Sequence, residues 1–194
     1  PIPGVTGRVI AYGQSGSDLF NAEGLEHHST LMDGDAGNDI LIGGLQQNLL
    51  IGGNDSDVLL GSGSTNGLDV GAGDDVLIGG PGGSLFVSGA GSNLILAGTI
   101  QFSDTTAALL AIQAEWTSGR SLADRVANLT GQGNGPRANG DTFLIPFETA
   151  LDNGAVDAVI ADQPNDWILL SFLTDVEFPV LPSQQRTDIG PQAT

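Results

Sequence analysis

The sequence contains no cysteine, which excludes disulfide staples and thiolate metal sites. It contains no lysine either; its five basic residues are all arginine, set against 23 acidic ones. The formal net charge of −18 argues against nucleic acid and anionic membranes as partners, and for cations. No apolar run approaches the ~20 residues a helix needs to span a bilayer. Histidine occurs only at His27-His28. There is no H-E-x-x-H, no G-x-S-x-G and no cysteine nucleophile, so catalysis has no motif to rest on and the chain is read as a non-enzyme. An initiator Met is also missing. The chain opens at Pro1 without a signal peptide and reads as a fragment or processed product of something larger.

What is abundant is glycine, 30 residues, placed with a period. From Gly34 the chain divides into nonapeptides: GDAGNDILI, GGLQQNLLI, GGNDSDVLL, GSGSTNGLD, VGAGDDVLI, GGPGGSLFV and SGAGSNLIL. Each opens on Gly or another small residue, with one Val exception, and most close on an apolar triplet. Place eight is Leu41, Leu50, Leu59, Leu68, Leu77, Phe86 and Ile95 in turn. Fainter units, GVTGRVIAY (4–12), GQSGSDLFN (13–21) and LEHHSTLMD (25–33), extend the frame backwards across an insertion at 22–24. So short a repeat means a short-rung β-solenoid, in which each unit buries its place-eight residue against stacked neighbours.

These units resemble the G-G-x-G-x-D-x-U-x nonapeptides of RTX (haemolysin-type) calcium-binding proteins. The resemblance implies a right-handed parallel β-roll in which two units make one turn, with calcium cradled in the six-residue loops. Alternate units then place their loops on one edge. The even-numbered units put Asp18, Asp39, Asp57, Asp75 and Asn93 at place six, and the odd-numbered ones put Thr30, Asn48, Asn66 and Ser84 there. The first edge is the candidate calcium edge, with Asp39, Asp57 and Asp75 as ligands and Asp18 a weaker one; the second reads as a ladder of neutral side chains. The family adds backbone carbonyls at places one and three, such as Gly34, Ala36, Gly52 and Asn54. Rungs ~4.8 Å apart set like charges against each other at ~1 kcal/mol per pair in water, and several times that when desolvated. Stacked carboxylates therefore call for a counter-ion; the alternative is splayed, solvated aspartates with no ion.

After Gly98 the period stops. Ser103-Asp104 can cap a helix through Trp116, with Leu109, Ile112 and Trp116 on one face. Ser121 and Asp124 form a capping box for a second, with Leu122, Val126 and Leu129 inward. A Gly-rich loop (131–140) follows, then a strand candidate, TFLIPF (142–147). DNGAVDAVI and ADQPNDWIL next space Asp157 and Asp166 nine apart, like resumed units without glycines. Three regions are expected: a calcium-binding β-roll (4–96), an α+β cap (97–178) and a tail or linker (179–194). Segment 99–170 also resembles the C-terminal region of large bacterial extracellular proteins, notably of planctomycete type, which implies location but no chemistry.

On the even-numbered units, the neighbours of the inward residue are Ile40, Ile42, Val58, Leu60, Val76, Ile78, Leu94 and Leu96. Burying each stabilises by ~1.5–3 kcal/mol, so the 104–118 helix is expected over this sheet. What it leaves uncovered, or the mixed opposite sheet, is expected to meet another copy. The functional expectation is a calcium-dependent, self-associating extracellular structural module. Its rival is the C-terminal secretion-and-folding module of a larger secreted enzyme or adhesin.

Overall fold

A computed structural model describes residues 7–161, 163–171, 174–178 and 184–190. Fourteen of its strands alternate between two parallel sheets. The odd sheet runs β1 (Val9–Tyr12), β3 (Thr30–Ala36), β5 (Gln47–Asn54), β7 (Thr65–Ala72), β9 (Gly83–Val87), β13 (Ala158–Ile160), β15 (Val176–Phe178). The even sheet runs β2 (Leu19–Asn21), β4 (Ile40–Ile42), β6 (Val58–Leu60), β8 (Val76–Ile78), β10 (Leu94–Leu96), β14 (Trp167–Leu170), β16 (Gln185–Asp188). The chain is thus mainly β and built as a β-solenoid, one turn per pair of units.

The register follows from the period. Leu41, Leu59, Leu77, Ile95 and Ile168 pair in one column of the even sheet. Met32, Leu50, Leu68, Phe86 and Val159 pair in the odd one. The two columns meet in a common interior and are essentially excluded from solvent. Because side chains alternate across a strand, the residues flanking each column must point away from it.

On the even sheet those flanking residues are the eight large apolar side chains from Ile40 to Leu96, and all are buried. They are covered by an excursion of the chain between β10 and β13. It contains α1 (Thr105–Trp116), α2 (Leu122–Leu129) and a small antiparallel pair, β11 (Thr99–Ile100) with β12 (Ala150–Leu151). Asp104 caps α1 by accepting from the Ala107 N–H, and Ser121 caps α2 through Asp124. Leu109, Ile112 and Trp116 share one cluster with the eight residues, joined by Val126, Leu129, Leu144, Trp167 and Ile189. These eight positions of the even face are therefore covered by the chain itself and are not available to another copy, while Leu19 at the first rung is 55% exposed.

The C-terminal third differs from expectation in three ways. The stretch expected as a cap divides into this excursion and a resumed coil, in which β13 pairs with β9 and β14 with β10 as if nothing intervened. TFLIPF forms no strand, since its backbone groups are used elsewhere: Leu144 donates to the Leu129 carbonyl at the end of α2, and Ile145 to Thr149 Oγ1. The expected tail contributes β16, paired with β14; residues 179–183 and 191–194 lie outside those described. At this end the place-eight residues are Glu177 and Arg186, joined by hydrogen bonds of 2.6 and 2.9 Å. An ion pair thus replaces the apolar column where it would otherwise meet water, as terminal repeats require. Among the described residues no helix is long and apolar enough to cross a membrane.

Leu109 and Leu110 provide an internal comparison, since the first is fully buried and the second 50% exposed. Leu109→Ala is expected to cost about 2–5 kcal/mol in urea unfolding, and Leu110→Ala less than about 0.5 kcal/mol.

Candidate functional site

The loops from odd to even strands carry the aspartates, and each loop's conformation comes from its second and fourth places. Place two lies at positive φ in the first five of these loops (Gln14, Asp35, Gly53, Gly71, Gly89), and Gly16, Gly37 and Gly91 at place four have φ of 114–122°. Few side chains tolerate the latter, so glycine is required there. The resulting bends turn place six inward beneath the loop.

There the side chains form a ladder. The Asp18 N–H donates to Asp39 Oδ1, that of Asp39 to Asp57 Oδ1, and that of Asp57 to Asp75 Oδ1, each at 2.8 Å. The Asp75 N–H continues to Asn93 Oδ1, and that of Asn93 to Asp166 Oδ1. Asp39, Asp57 and Asp75 are fully buried, so the aspartates are neither splayed nor solvated. The Oδ2 atoms of Asp18, Asp39, Asp57 and Asp75 are buried with no hydrogen-bond partner.

Asn93 shows what the place asks for: its Nδ2 donates to the carbonyl of Ser88, the first residue of its own loop, at 2.9 Å. A carboxylate has no proton to offer at that position. Other oxygens crowd the same space. A Cβ on Gly52 would lie 2.5 Å from Asp57 Oδ2 and 2.9 Å from the Val70 carbonyl, and one on Gly13 would lie 2.7 Å from Asp18 Oδ2 and 2.6 Å from the Gly34 carbonyl. Gly34 is enclosed likewise by Asp39 Oδ2 and the Gly52 carbonyl. Burial pushes the Asp57 carboxyl up to about 7 and that of Asp75 to about 8, with neighbouring aspartates adding to the shift and backbone N–H groups opposing it. Asp39 is raised for the same reasons.

The donor set fits a hard cation: oxygen throughout, anionic, dry, and short of hydrogen-bond donors. Asp39, Asp57, Asp75 and, at the first rung, Asp18 would supply carboxylate oxygens. Gly34 and Gly52 carbonyls lie beside them. Ala36 and Asn54, at place three, already accept from the Gly16 and Gly37 N–H groups, at 2.9 and 3.3 Å, and keep a second lone pair each. Among the described residues no three acidic or histidine side chains converge, so backbone carbonyls would carry much of any coordination.

The opposite edge is neutral and satisfied. Thr30 Oγ1 donates to Asn48 Oδ1, Asn48 Nδ2 to Asn66 Oδ1, and Asn66 Nδ2 to Ser84 Oγ. The two amides also donate to the Gly61 and Gly79 carbonyls. Further along, Asp157 and Asp175 return carboxylates to this edge, but both have partners on each oxygen. Burial raises both, Asp157 to about 6. Asp162 lies outside the described residues. His27 stands 3.8 Å from Glu26 with both side chains exposed, while His28 turns to the Gly7 carbonyl, so the two rings have separate partners.

A second ladder, at place five, went unread in the sequence. The Ser56 N–H donates to Asn38 Oδ1, that of Asp74 to Ser56 Oγ, and that of Ser92 to Asp74 Oδ1. It runs opposite to the place-six ladder, so adjacent loops are tied in both directions. The signal was present: place five holds a side chain able to accept in three successive even units. The chain matches no protein-family model, no curated protein and no solved structure.

Two outcomes follow. Each raised acid binds its proton more tightly folded than unfolded, so without a cation stability falls as pH rises from about 4 to about 8. Thermal unfolding in metal-depleted buffer is expected to show a lower Tm at pH 8 than at pH 5. Gly52→Ala drives a methyl into the Asp57 carboxylate and the Val70 carbonyl and is expected to cost about 1–3 kcal/mol.

Proposed function

We propose that this chain is a calcium-dependent extracellular structural module that associates with copies of itself and has no catalytic role. One observation carries the reading: the buried column of Asp39, Asp57 and Asp75, whose Oδ2 atoms are shut off from solvent and meet no donor. A cation removes both the repulsion within the column and the missing partners. Calcium suits the edge better than magnesium, which keeps several waters and demands near-ideal octahedral geometry. The ligands are Asp39, Asp57 and Asp75, then Asp18, with the carbonyls of Gly34, Ala36, Gly52 and Asn54. The glycine and aspartate spacing favours a right-handed roll of the haemolysin-type nonapeptide kind, and right-handed crossovers between parallel strands are the general rule. Folding that waits for calcium suits an exported, cysteine-free chain.

Self-association is supported by the outer face of the odd sheet. Ile10, Leu49, Leu85, Ile160 and Val176 are exposed on it, interrupted by Asp33, Gly67 and Asp69. Such an apolar array invites burial against a like surface.

The test is thermal unfolding and sedimentation of the full chain, in calcium and then in chelator. Calcium is expected to raise the Tm and to favour assemblies that chelator disperses. Asp57→Ala is expected to abolish far more of the calcium-induced rise than Asn66→Ala. A circular dichroism spectrum and Tm indifferent to chelator would contradict the calcium reading. Monomers at every concentration in calcium would remove self-association and leave the secretion-and-folding module of a larger secreted protein.

A further inference from the structure

The helical excursion does more than cover the even sheet, because its polar side chains seize three successive loops of the carboxylate edge. Gln113 Nε2 donates to the Ser56 carbonyl at 2.7 Å, and Trp116 Nε1 to the Ser92 carbonyl at 2.8 Å. Between them Arg125 stands 3.6 Å from Asp74 Oδ2, stacks 4.4 Å over the Trp116 ring and donates to the Trp116 carbonyl. All three contacts fall on the place-five residues.

The peptide unit is rigid and planar, so holding a carbonyl also fixes the N–H that follows it. The Ser56 carbonyl shares its plane with the Asp57 N–H, which anchors Asp75 Oδ1. The Ser92 carbonyl shares its plane with the Asn93 N–H, which anchors Asp166 Oδ1. Asp74, gripped by Arg125 through Oδ2, uses Oδ1 to hold the Ser92 N–H. The route from helix to column is therefore short, two hydrogen bonds joined by one rigid peptide unit.

We propose that Gln113 and Trp116 are positioning residues for the cation edge: Gln113 aims the Asp75 carboxylate through peptide plane 56–57, Trp116 fixes plane 92–93 beside Asn93, whose Oδ1 holds the Asp75 N–H, and Arg125 locks the loop between. The inference rests on the cation reading above. Docking of the helices and uptake of the cation are then linked, each strengthening the other by the same factor. The excursion becomes a device by which calcium occupancy at the edge is felt on the covered face of the even sheet.

The test uses the full chain and calcium alone, with calorimetric titration and melting in calcium and in chelator. Trp116→Phe keeps an aromatic ring but removes the N–H together with the rest of the indole, so it also loses buried packing; Gln113→Ala removes the other donor and leaves a better helix former in α1. Each is expected to weaken calcium binding by about tenfold and to shrink the calcium-induced rise in Tm; the ion-free Tm changes little in Gln113→Ala and falls in Trp116→Phe by the packing lost. Leu110→Ala, on the exposed side of the same helix, is expected to leave the affinity unchanged. Equal falls in Tm with and without calcium, at unaltered affinity, would show a purely structural role and overturn the proposal. Should Trp116→Phe fail to fold, Gln113→Ala decides alone. A wild-type chain that binds no calcium would instead overturn the cation reading beneath it.

Discussion

The structure turns on an imbalance of donors and acceptors along one edge of the coil. Three carboxylates, Asp39, Asp57 and Asp75, each satisfy one oxygen with a backbone N–H from the preceding rung and leave the other buried without a partner, and Asp18 Oδ2 is buried without one as well. An unpaired buried polar atom costs roughly 1–3 kcal/mol, and more when charged. Four stacked in one column would be a severe defect in a fold that is otherwise well satisfied. The opposite edge solves the same geometric problem with Thr30, Asn48, Asn66 and Ser84, and within the carboxylate column Asn93 solves it again. Carboxylates standing where amides fit leave a negative charge that the proposed cation would balance.

The rest of the molecule holds that column in place. Glycine at the first place keeps the space beside Asp18, Asp39 and Asp57 clear, and the two ladders tie successive loops in opposite directions. The excursion buries the outer even face and grips the same loops. The two ends of the coil differ: Glu177 and Arg186 close the far end with an ion pair, while the first turn leaves Ala11 and Phe20 only partly buried. The uncovered odd face and the open first turn are the apolar surfaces that remain.

Much of this was legible in the sequence because the period is strict where the glycines are. Place eight marked the core, parity separated the two edges, and the apolar flanks of the even units called for the helix that covers them. Legibility failed where the chemistry of a rung changed but its geometry did not. Residues 157–190 keep the nine-residue spacing through Asp157, Asp166 and Asp175 but lack the glycines, so a resumed coil read as a cap. Gln185–Asp188 is polar because its place-eight residue, Arg186, pairs with Glu177 at the end of the column, and no apolar triplet announced a strand. TFLIPF misled in the other direction: its Leu144 enters the cluster under the helices as irregular chain, and Phe147 is 47% exposed. The place-five ladder escaped because Asn38, Ser56 and Asp74 differ in type and share only the capacity to accept.

The requirement for a cation is tested most directly by Asp57→Asn, melted with calcium and without. The amide is the isostere that Asn93 already shows to be satisfied at this place, donating to the carbonyl at the head of its loop. If the column holds calcium, the substitution raises the Tm in chelator, by supplying the missing donor, and lowers it in calcium, by removing a ligand. A Tm raised equally in both would mean that no cation binds at Asp57 and would contradict the account.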